Sequence, residues 1–238
     1  MKKFIIADEM FKMFPDLQIG IVVCEGINNN YNEENTESFY EKEIREAEKT
    51  AKKYLTETVF SDNEVIKCWR EAFRKFKTKK GARCSIEALL KRIEKENHLG
   101  TINPLVDIYN TISLLYGIPC GGEDIDNIKG DILLTKALGT ESFITLGSDK
   151  SEPPYEGEVV YKDDEGAICR CWNWREGVRT MLTEETKNAF ICLEQVDSNR
   201  IDELSEALDV LLNKIESKQG ANCRIQVLNT ENREMEIS

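Results

Sequence analysis

The hydrophobic positions of residues 2–26 predict a strand, a short helix and a second strand, Gln18–Gly26. The second strand carries Ile19, Ile21, Val22, Val23 and Cys24, the near-continuous apolar run of a strand covered on both faces. Asn28-Asn29-Asn30 breaks it. Residues 33–57 are rich in charge, with Phe39, Ala47 and Leu55 as sparse apolar positions, and predict a solvated helix with a narrow buried stripe. From 62 to 77, Val65, Cys68, Trp69, Ala72, Phe73 and Phe76 recur at helical spacing. Ser85 is the expected N-cap of a third helix. Asn103-Pro104 opens a fourth, with an N-cap and a proline at the first helical position.

That fourth helix, Leu105–Tyr116, contains no lysine, arginine or glutamate and is expected to be buried. Asp107 and Asn110 share one face of it, with Thr111 beside them. Polar groups on a buried helix need partners, which are either internal or a ligand. Gly117 ends the helix, Pro119 prevents its resumption, and Gly121-Gly122 predict a tight turn. Strands are then expected at Asp131–Ala137, Glu141–Leu146, Glu158–Lys162, Ala167–Trp174 and Ala189–Val196. A helix at Asn199–Ser217 and a strand at Cys223–Leu228 follow, and residues 232–238 are expected to fray. With no linker and no internal repeat, the pattern predicts one mixed α/β domain over 1–238.

Composition narrows the class. The 238 residues hold 32 basic and 44 acidic side chains, a net charge of −12, with 40% hydrophobic and 32% charged positions. That balance excludes collagen-like, disordered and membrane-spanning proteins. Asp8 and Glu9 interrupt the start before a signal-peptide core forms, so a cytoplasmic location is expected. The eight cysteines form no CxxC pair. Cys169-x-Cys171 is expected on one strand face, and His98, the only histidine, sits at a helix end. The thiols therefore read as structural, with neither metal nor cofactor expected.

The acidic balance argues against DNA and against nonspecific nucleic-acid binding. It leaves room for a local basic patch that holds RNA in a salt-sensitive way. Arg70, Arg74, Lys75, Lys77, Lys79, Lys80 and Arg83 form the strongest basic run. Nucleophilic triads and phosphate-binding glycine loops are absent, so an enzyme here needs a carboxylate, a backbone dipole or its substrate as base. Glu123, Asp124 and Asp126 read either as a cation site or as caps of the next element. Trp172 and Trp174 are expected on one strand face, to stack a base or pack the core. Arg175 next to Glu176 reads as a local ion pair or an RNA contact. Glu194 shares a face with Phe190 and Cys192, where a carboxylate is costly unless it is paired or lines a cavity.

Several ordered motifs carry a resemblance. They are Arg83-Cys84-Ser85-Ile86-Glu87-Ala88-Leu89-Leu90, Ile102-Asn103-Pro104-Leu105-Val106-Asp107-Ile108-Tyr109-Asn110, Tyr116-Gly117-Ile118-Pro119, Gly130-Asp131-Ile132 and Ala189-Phe190-Ile191-Cys192-Leu193-Glu194. Over about residues 65–200 the chain resembles the B3/B4 editing domain of the bacterial phenylalanyl-tRNA synthetase β subunit. Its whole length resembles freestanding B3/B4 proteins, with 1–60 and 199–229 integral to the domain. The resemblance implies sheet layers covered by helices with a pocket between them, and hydrolysis of a wrong amino acid from an aminoacylated tRNA 3′ end. By position it matches Asn110 to a pocket asparagine and Glu194 to a glutamate that recognises the amino-acid moiety; in a deacylase, Asn110 would orient the ester or a water. Amides at Gly121 and Gly122 would meet the developing oxyanion. Tyr109 and Trp174 would complete the substrate pocket, while Arg70, Arg74, Lys79, Lys80, Arg83 and Arg175 would contact phosphates.

Two departures stand out. Glycine occupies the family's histidine position in Pro119-Cys120-Gly121-Gly122-Glu123-Asp124, and Tyr109 replaces a threonine. The synthetase's catalytic modules are absent, so aminoacylation is not expected. The expected function is a trans-acting aminoacyl-tRNA deacylase. The alternatives are a noncatalytic RNA- or amino-acid-binding module and a protein-interaction domain built on the 33–57 helix.

Overall fold

Alternation along one strand sets the layers. The computed structural model describes residues 1–238. In β2 (Gln18–Glu25), Ile19, Ile21 and Val23 join one core while Val22 and Cys24 join another. β8 (Asn188–Gln195) divides the same way, with Phe190 and Cys192 on the first side and Ala189, Ile191 and Leu193 on the second. A four-stranded sheet results, in the order β3-β8-β2-β9, where β3 is Cys120–Asp124 and β9 is Asn222–Leu228. The second sheet has the order β10-β1-β4-β5-β6-β7. Its strands are β1 Lys3–Ile6, β4 Ile132–Lys136, β5 Val159–Lys162, β6 Ala167–Arg170, β7 Arg175–Glu176 and β10 Glu234–Glu236. Only β1 and β4 pair in parallel; every other pair in both sheets is antiparallel.

Helices close the layers. The short α1 (Asp8–Met13) connects β1 to β2. α5 (Pro104–Tyr116) and α6 (Ile201–Gln219) cover the outer face of the smaller sheet, and α2 (Glu37–Ala51) packs on α5. α2 buries Tyr40, Ile44, Ala47, Glu48 and Ala51 on one stripe, as its charge-rich sequence predicts. α3 (Glu64–Phe73) and α4 (Ser85–Glu94) add Val65, Ile66, Trp69, Ile86 and Leu90 to the inter-sheet core. α6 approaches the sheet closely at Gly20, where a Cβ would stand 2.4 Å from Leu208 Cδ1. Gly117 caps α5 in the left-handed region at φ 60°. No helix is long and apolar enough to cross a membrane.

Five local expectations are corrected. Gly121-Gly122 is not a turn: it lies inside β3, opposite Cys192 and Ile191. Glu141–Leu146 is not a strand, because its backbone groups go to separate places. The Ser142 carbonyl accepts from Ala167, Phe143 N–H donates to Ser151 Oγ, and the Ile144 carbonyl accepts from Val178. The Glu141 carboxylate meanwhile gathers the N–H groups of Leu138, Gly139 and Thr140.

Ala167–Trp174 is strand only to Arg170. Cys171 and Trp172 take positive φ values of 45° and 65°, so neither the cysteine pair nor the tryptophan pair shares a strand face. Residues 232–238 do not fray: β10 pairs with β1, and Met235 and Ile237 are buried, each worth ~1.5–3 kcal/mol of apolar burial. Ser85 is the first residue of α4, after the cap position at Cys84, and its hydroxyl caps nothing.

Candidate functional site

A cavity of 440 Å³ opens where the two sheets, α4 and α5 meet. Asn110, Gly121, Gly122, Glu194, Tyr109 and Trp174 all line it, although they come from four separated stretches of the chain. α5 brings Tyr109 and Asn110 to the wall. Asp107, three residues before Asn110 on the same helix, is directed elsewhere: it is fully buried and accepts from Tyr31 OH at 2.7 Å and Ile102 N–H at 2.9 Å.

Glu194 is 1% exposed, on the inter-sheet face of β8 that alternation predicts. Its carboxylate accepts from Trp172 Nε1 at 2.7 Å, from Tyr161 OH and from Asn173 Nδ2. Burial pushes its pKa up to about 7, and these three neutral donors pull it part of the way back. Two further polar atoms at the wall, Ser85 Oγ and Asn173 Oδ1, are buried without a partner. Orphaned groups of this kind are rare in folded proteins unless a ligand or water meets them.

β3 forms the edge of the smaller sheet and one side of the cavity. Glu194 N–H donates to the Pro119 carbonyl at 3.1 Å, which fixes the alternation along β3. Gly121 turns its backbone toward Cys192, whereas Gly122 turns its N–H to the outer edge. Asp124, two residues on, confirms this sense by donating outward to the Thr180 carbonyl at 2.8 Å. Of the two glycine amides, Gly122's is therefore the one placed outside the β3–β8 ladder.

Glu176 faces this edge. An ideal Cβ on Gly121 would lie 3.4 Å from Glu176 Oε1. The Glu176 residue is exposed overall, but desolvation of its carboxyl against the cavity wall pushes it up to about 7, with Gly122 N–H drawing it down. Glu123 is buried, accepts from Thr180 Oγ1 at 2.7 Å, and is raised well above the usual carboxylate range by burial and then by Glu176. Cys120, Cys169 and Cys192 also line the wall, and burial pushes all three thiols up, which disfavours the nucleophilic thiolate.

In the sequence, Glu176 reads only as a neighbour of Arg175, and Glu123 as a cap or cation ligand. Their meeting depends on how β3 and β7, in different sheets, come together, which no local pattern carries. Asp124 does cap, accepting from Asp126 N–H, and Asp126 accepts from Asn188. Trp172 is fully buried against Phe14, Trp69 and Phe76, while Trp174 is half-buried at the cavity with the Arg175 guanidinium 4.7 Å from its ring centre.

The remaining basic residues divide by partner. Arg70 is bound to the buried Glu87 at 2.7 Å, and Lys79 to Glu152 at 2.5 Å. Arg74, Lys80 and Arg83 are exposed and bind no carboxylate. Arg70, Arg74 and Arg83 together line a second cavity of 400 Å³ just before α4. His98 lies away from this wall, against Glu48 of α2 at 2.7 Å.

Residues 67–216 match the family described as B3/4 domain. The phenylalanine–tRNA ligase beta subunit of Fusobacterium nucleatum is 32% identical over 165 residues, covering 66% of this chain and 20% of that protein. The subunit of the same name from Mycoplasmoides gallisepticum is 32% identical over 105 residues, covering 44% and 13%. The chain thus spans a fifth or less of the length of these curated relatives. An N-terminal fragment of the phenylalanyl-tRNA synthetase beta subunit from Pyrococcus horikoshii has a similar structure, with a TM-score of 0.49 and 14% identity over 92% of this chain and 49% of that one.

Proposed function

The chain belongs to the B3/4 domain family, and on that premise we propose that it is an aminoacyl-tRNA deacylase acting in trans, with the 440 Å³ cavity as its ester-binding site. One observation carries this reading. Asn110, Tyr109, Gly122, Trp174 and Glu194 converge on one cavity, and the Glu194 carboxylate there is held by neutral donors alone. A buried carboxylate without a cation suits a ligand that brings its own positive charge, as the ammonium of an aminoacyl ester does.

In this reading Glu194 holds the amino-acid moiety and Asn110 orients the ester or a water. The outward N–H of Gly122, which the Glu176 carboxylate meets in the free protein, turns to the oxyanion as it forms, at a position fixed by the sheet. Trp174, topped by Arg175, offers a face on which the terminal base stacks. Arg74, Lys80 and Arg83, with the partly committed Arg70 and Lys79, approach phosphates beyond it. The work is placed in the cytoplasm, where aminoacyl-tRNA is made and used.

The test is a panel of mischarged, radiolabelled aminoacyl-tRNAs incubated with the purified chain while loss of the ester is followed. Rapid loss restricted to particular amino acid–tRNA pairs is expected. Binding without any turnover would sink the hydrolase reading in favour of a binding module.

A further inference from the structure

The cavity holds three carboxyl groups, and their hydrogen-bond partners divide them into different roles. Glu194 is committed to Tyr161, Trp172 and Asn173. A carboxylate that already accepts three hydrogen bonds is fixed in place. Glu123 is buried and tied to Thr180. Glu176 makes no hydrogen bond or ion pair with any side chain, its one partner is the Gly122 N–H, and it is the one that solvent reaches.

Its position is also specific. β7 ends at Glu176, and the segment that follows turns back to lie along β3, with Thr180 bonded to Asp124 and Met181 bridging Glu123. That segment covers the β3 edge from Asp124 back to Gly122, where Leu182 packs, and leaves Gly121 facing Glu176. Glu176 Oε1 stands over Gly121, 3.4 Å from where its Cβ would be. Gly121, without a side chain, gives the carboxyl room beside the outward-facing Gly122 amide.

We infer that Glu176 is the general base of the cavity, taking a proton from the water that attacks the ester carbonyl beside Gly122. This inference rests on the hydrolase reading. The water oxygen forms a bond to the carbonyl carbon and its proton passes to the Glu176 carboxylate. The bond from that carbon to the ribose oxygen then breaks, and Glu176 returns the proton to the departing oxygen. The amino acid leaves as its free acid and the tRNA regains its hydroxyl, so atoms and charge balance with water as the only co-reactant.

The groups around Glu176 are consistent with this role. Glu123, Tyr109, Cys120 and Cys169 face it electrostatically, and burial pushes the pKa of each of them up. The neighbouring cation, Arg175, lies over Trp174. Glu176 therefore ionises near neutrality with no fixed positive charge to suppress its basicity, which is where a base works best.

The experiment measures kcat/KM from about pH 5.5 to about pH 8.5 for wild type, Glu176→Gln and Glu176→Asp, on the ester that wild type cleaves fastest. Binding is measured in parallel with the same tRNA carrying a non-hydrolysable 3′-amide of that amino acid. For wild type the rate should rise about tenfold per pH unit to a plateau above about 7. Glu176→Gln should lose about 10²–10⁴-fold in rate at every pH, with amide binding within about twofold. Glu176→Asp should keep the limb at reduced rate, which decides the matter even if Glu176→Gln does not fold. A Glu176→Gln enzyme with the wild-type rate and limb overturns the role of Glu176 and leaves the hydrolase standing. A wild type that cleaves no ester in the panel overturns both.

Discussion

The indole N–H of Trp172 donates to Glu194 Oε1 at 2.7 Å, joining a residue just past a strand of one sheet to a residue inside the other. The bond depends on the break after Arg170. Trp172 at φ 65° leaves the strand path and drops its ring among Phe14, Trp69 and Phe76, so that its one polar atom meets the carboxylate. Tyr161 and Asn173 reach the same carboxylate from the same side. The site is thus a product of how the two sheets face each other.

Glu194 makes stability fall as pH rises. Its folded pKa, about 7, lies above the ordinary value of 4.5. Its contribution is fully present below about pH 4.5 and is lost as pH climbs through about 7, a change of ~3 kcal/mol at ~1.4 kcal/mol per unit. Glu123 acts in the same direction. The groups with lowered pKa, among them Glu141, Glu158 and Asp163, titrate below this window. Urea unfolding between pH 5 and pH 8 should show wild type losing stability and Glu194→Gln losing clearly less. Parallel curves for the two proteins would falsify the assignment.

Replacing Glu194 by alanine should also abolish ester hydrolysis, as should Asn110→Ala, because each removes a group that holds the reacting ester. The check is turnover at fixed pH together with a melting curve to establish folding. Full activity in both variants removes the cavity from consideration as the reaction site.

Trp172→Phe separates packing from hydrogen bonding. The smaller ring still fills the space between Phe14 and Trp69, but Glu194 loses one of its three donors. An unmet buried acceptor costs ~1–3 kcal/mol, and the carboxyl should shift further upward. Chemical denaturation reads the first effect, and a carboxyl ¹³C titration of Glu194 reads the second. A variant as stable as wild type with an unmoved titration shows that the bond contributes nothing.

Gly121 and Gly122 should respond differently to alanine. At Gly121 a Cβ meets only Glu176 Oε1 at 3.4 Å, an ordinary contact, so Gly121→Ala should change stability by less than ~0.5 kcal/mol. At Gly122 it stands 3.0 Å from Leu182 and 3.3 Å from both Ile191 and the Phe190 carbonyl, so Gly122→Ala should cost ~1–3 kcal/mol. Thermal melts of the two variants side by side test this. Equal losses would mean that the wall yields at Gly122 or crowds Gly121 more than the geometry indicates.

What is legible in the sequence is what is local. β2 can be read because both its faces are covered, α5 because Asn103-Pro104 and Gly117 bound it, and the inward face of Glu194 because a strand alternates. Asn110, Tyr109 and Trp174 are placed at a pocket by resemblance and do line one cavity. Glu176 stays hidden because its place at the cavity depends on its approach to Gly121 in a strand of the other sheet. The glycine pair misleads because the turn propensity of Gly-Gly gives way to pairing with β8. The C-terminal strand escapes notice because its short apolar content, Met235 and Ile237, matters only once β1 offers an edge.

The arginines of the second cavity should separate binding from structure. Arg74 and Arg83 are exposed and bind no carboxylate, whereas Arg70 holds the buried Glu87. Each phosphate that the protein no longer neutralises lowers the slope of log K against log salt by about 0.7–0.9. Arg74→Ala and Arg83→Ala should therefore weaken tRNA binding, flatten the salt slope by about that amount each, and leave the melting temperature nearly unchanged. Arg70→Ala should instead lose stability by ~1–2 kcal/mol, a value reduced because water reaches the arginine head, since it strands the Glu87 carboxylate away from its cation. Filter binding of tRNA over a salt series, paired with denaturation of each variant, distinguishes the two behaviours. If Arg74 and Arg83 can both be removed without changing the salt slope, the RNA does not pass over this cavity, and the path from the acylated end must leave along the Trp174–Arg175 side.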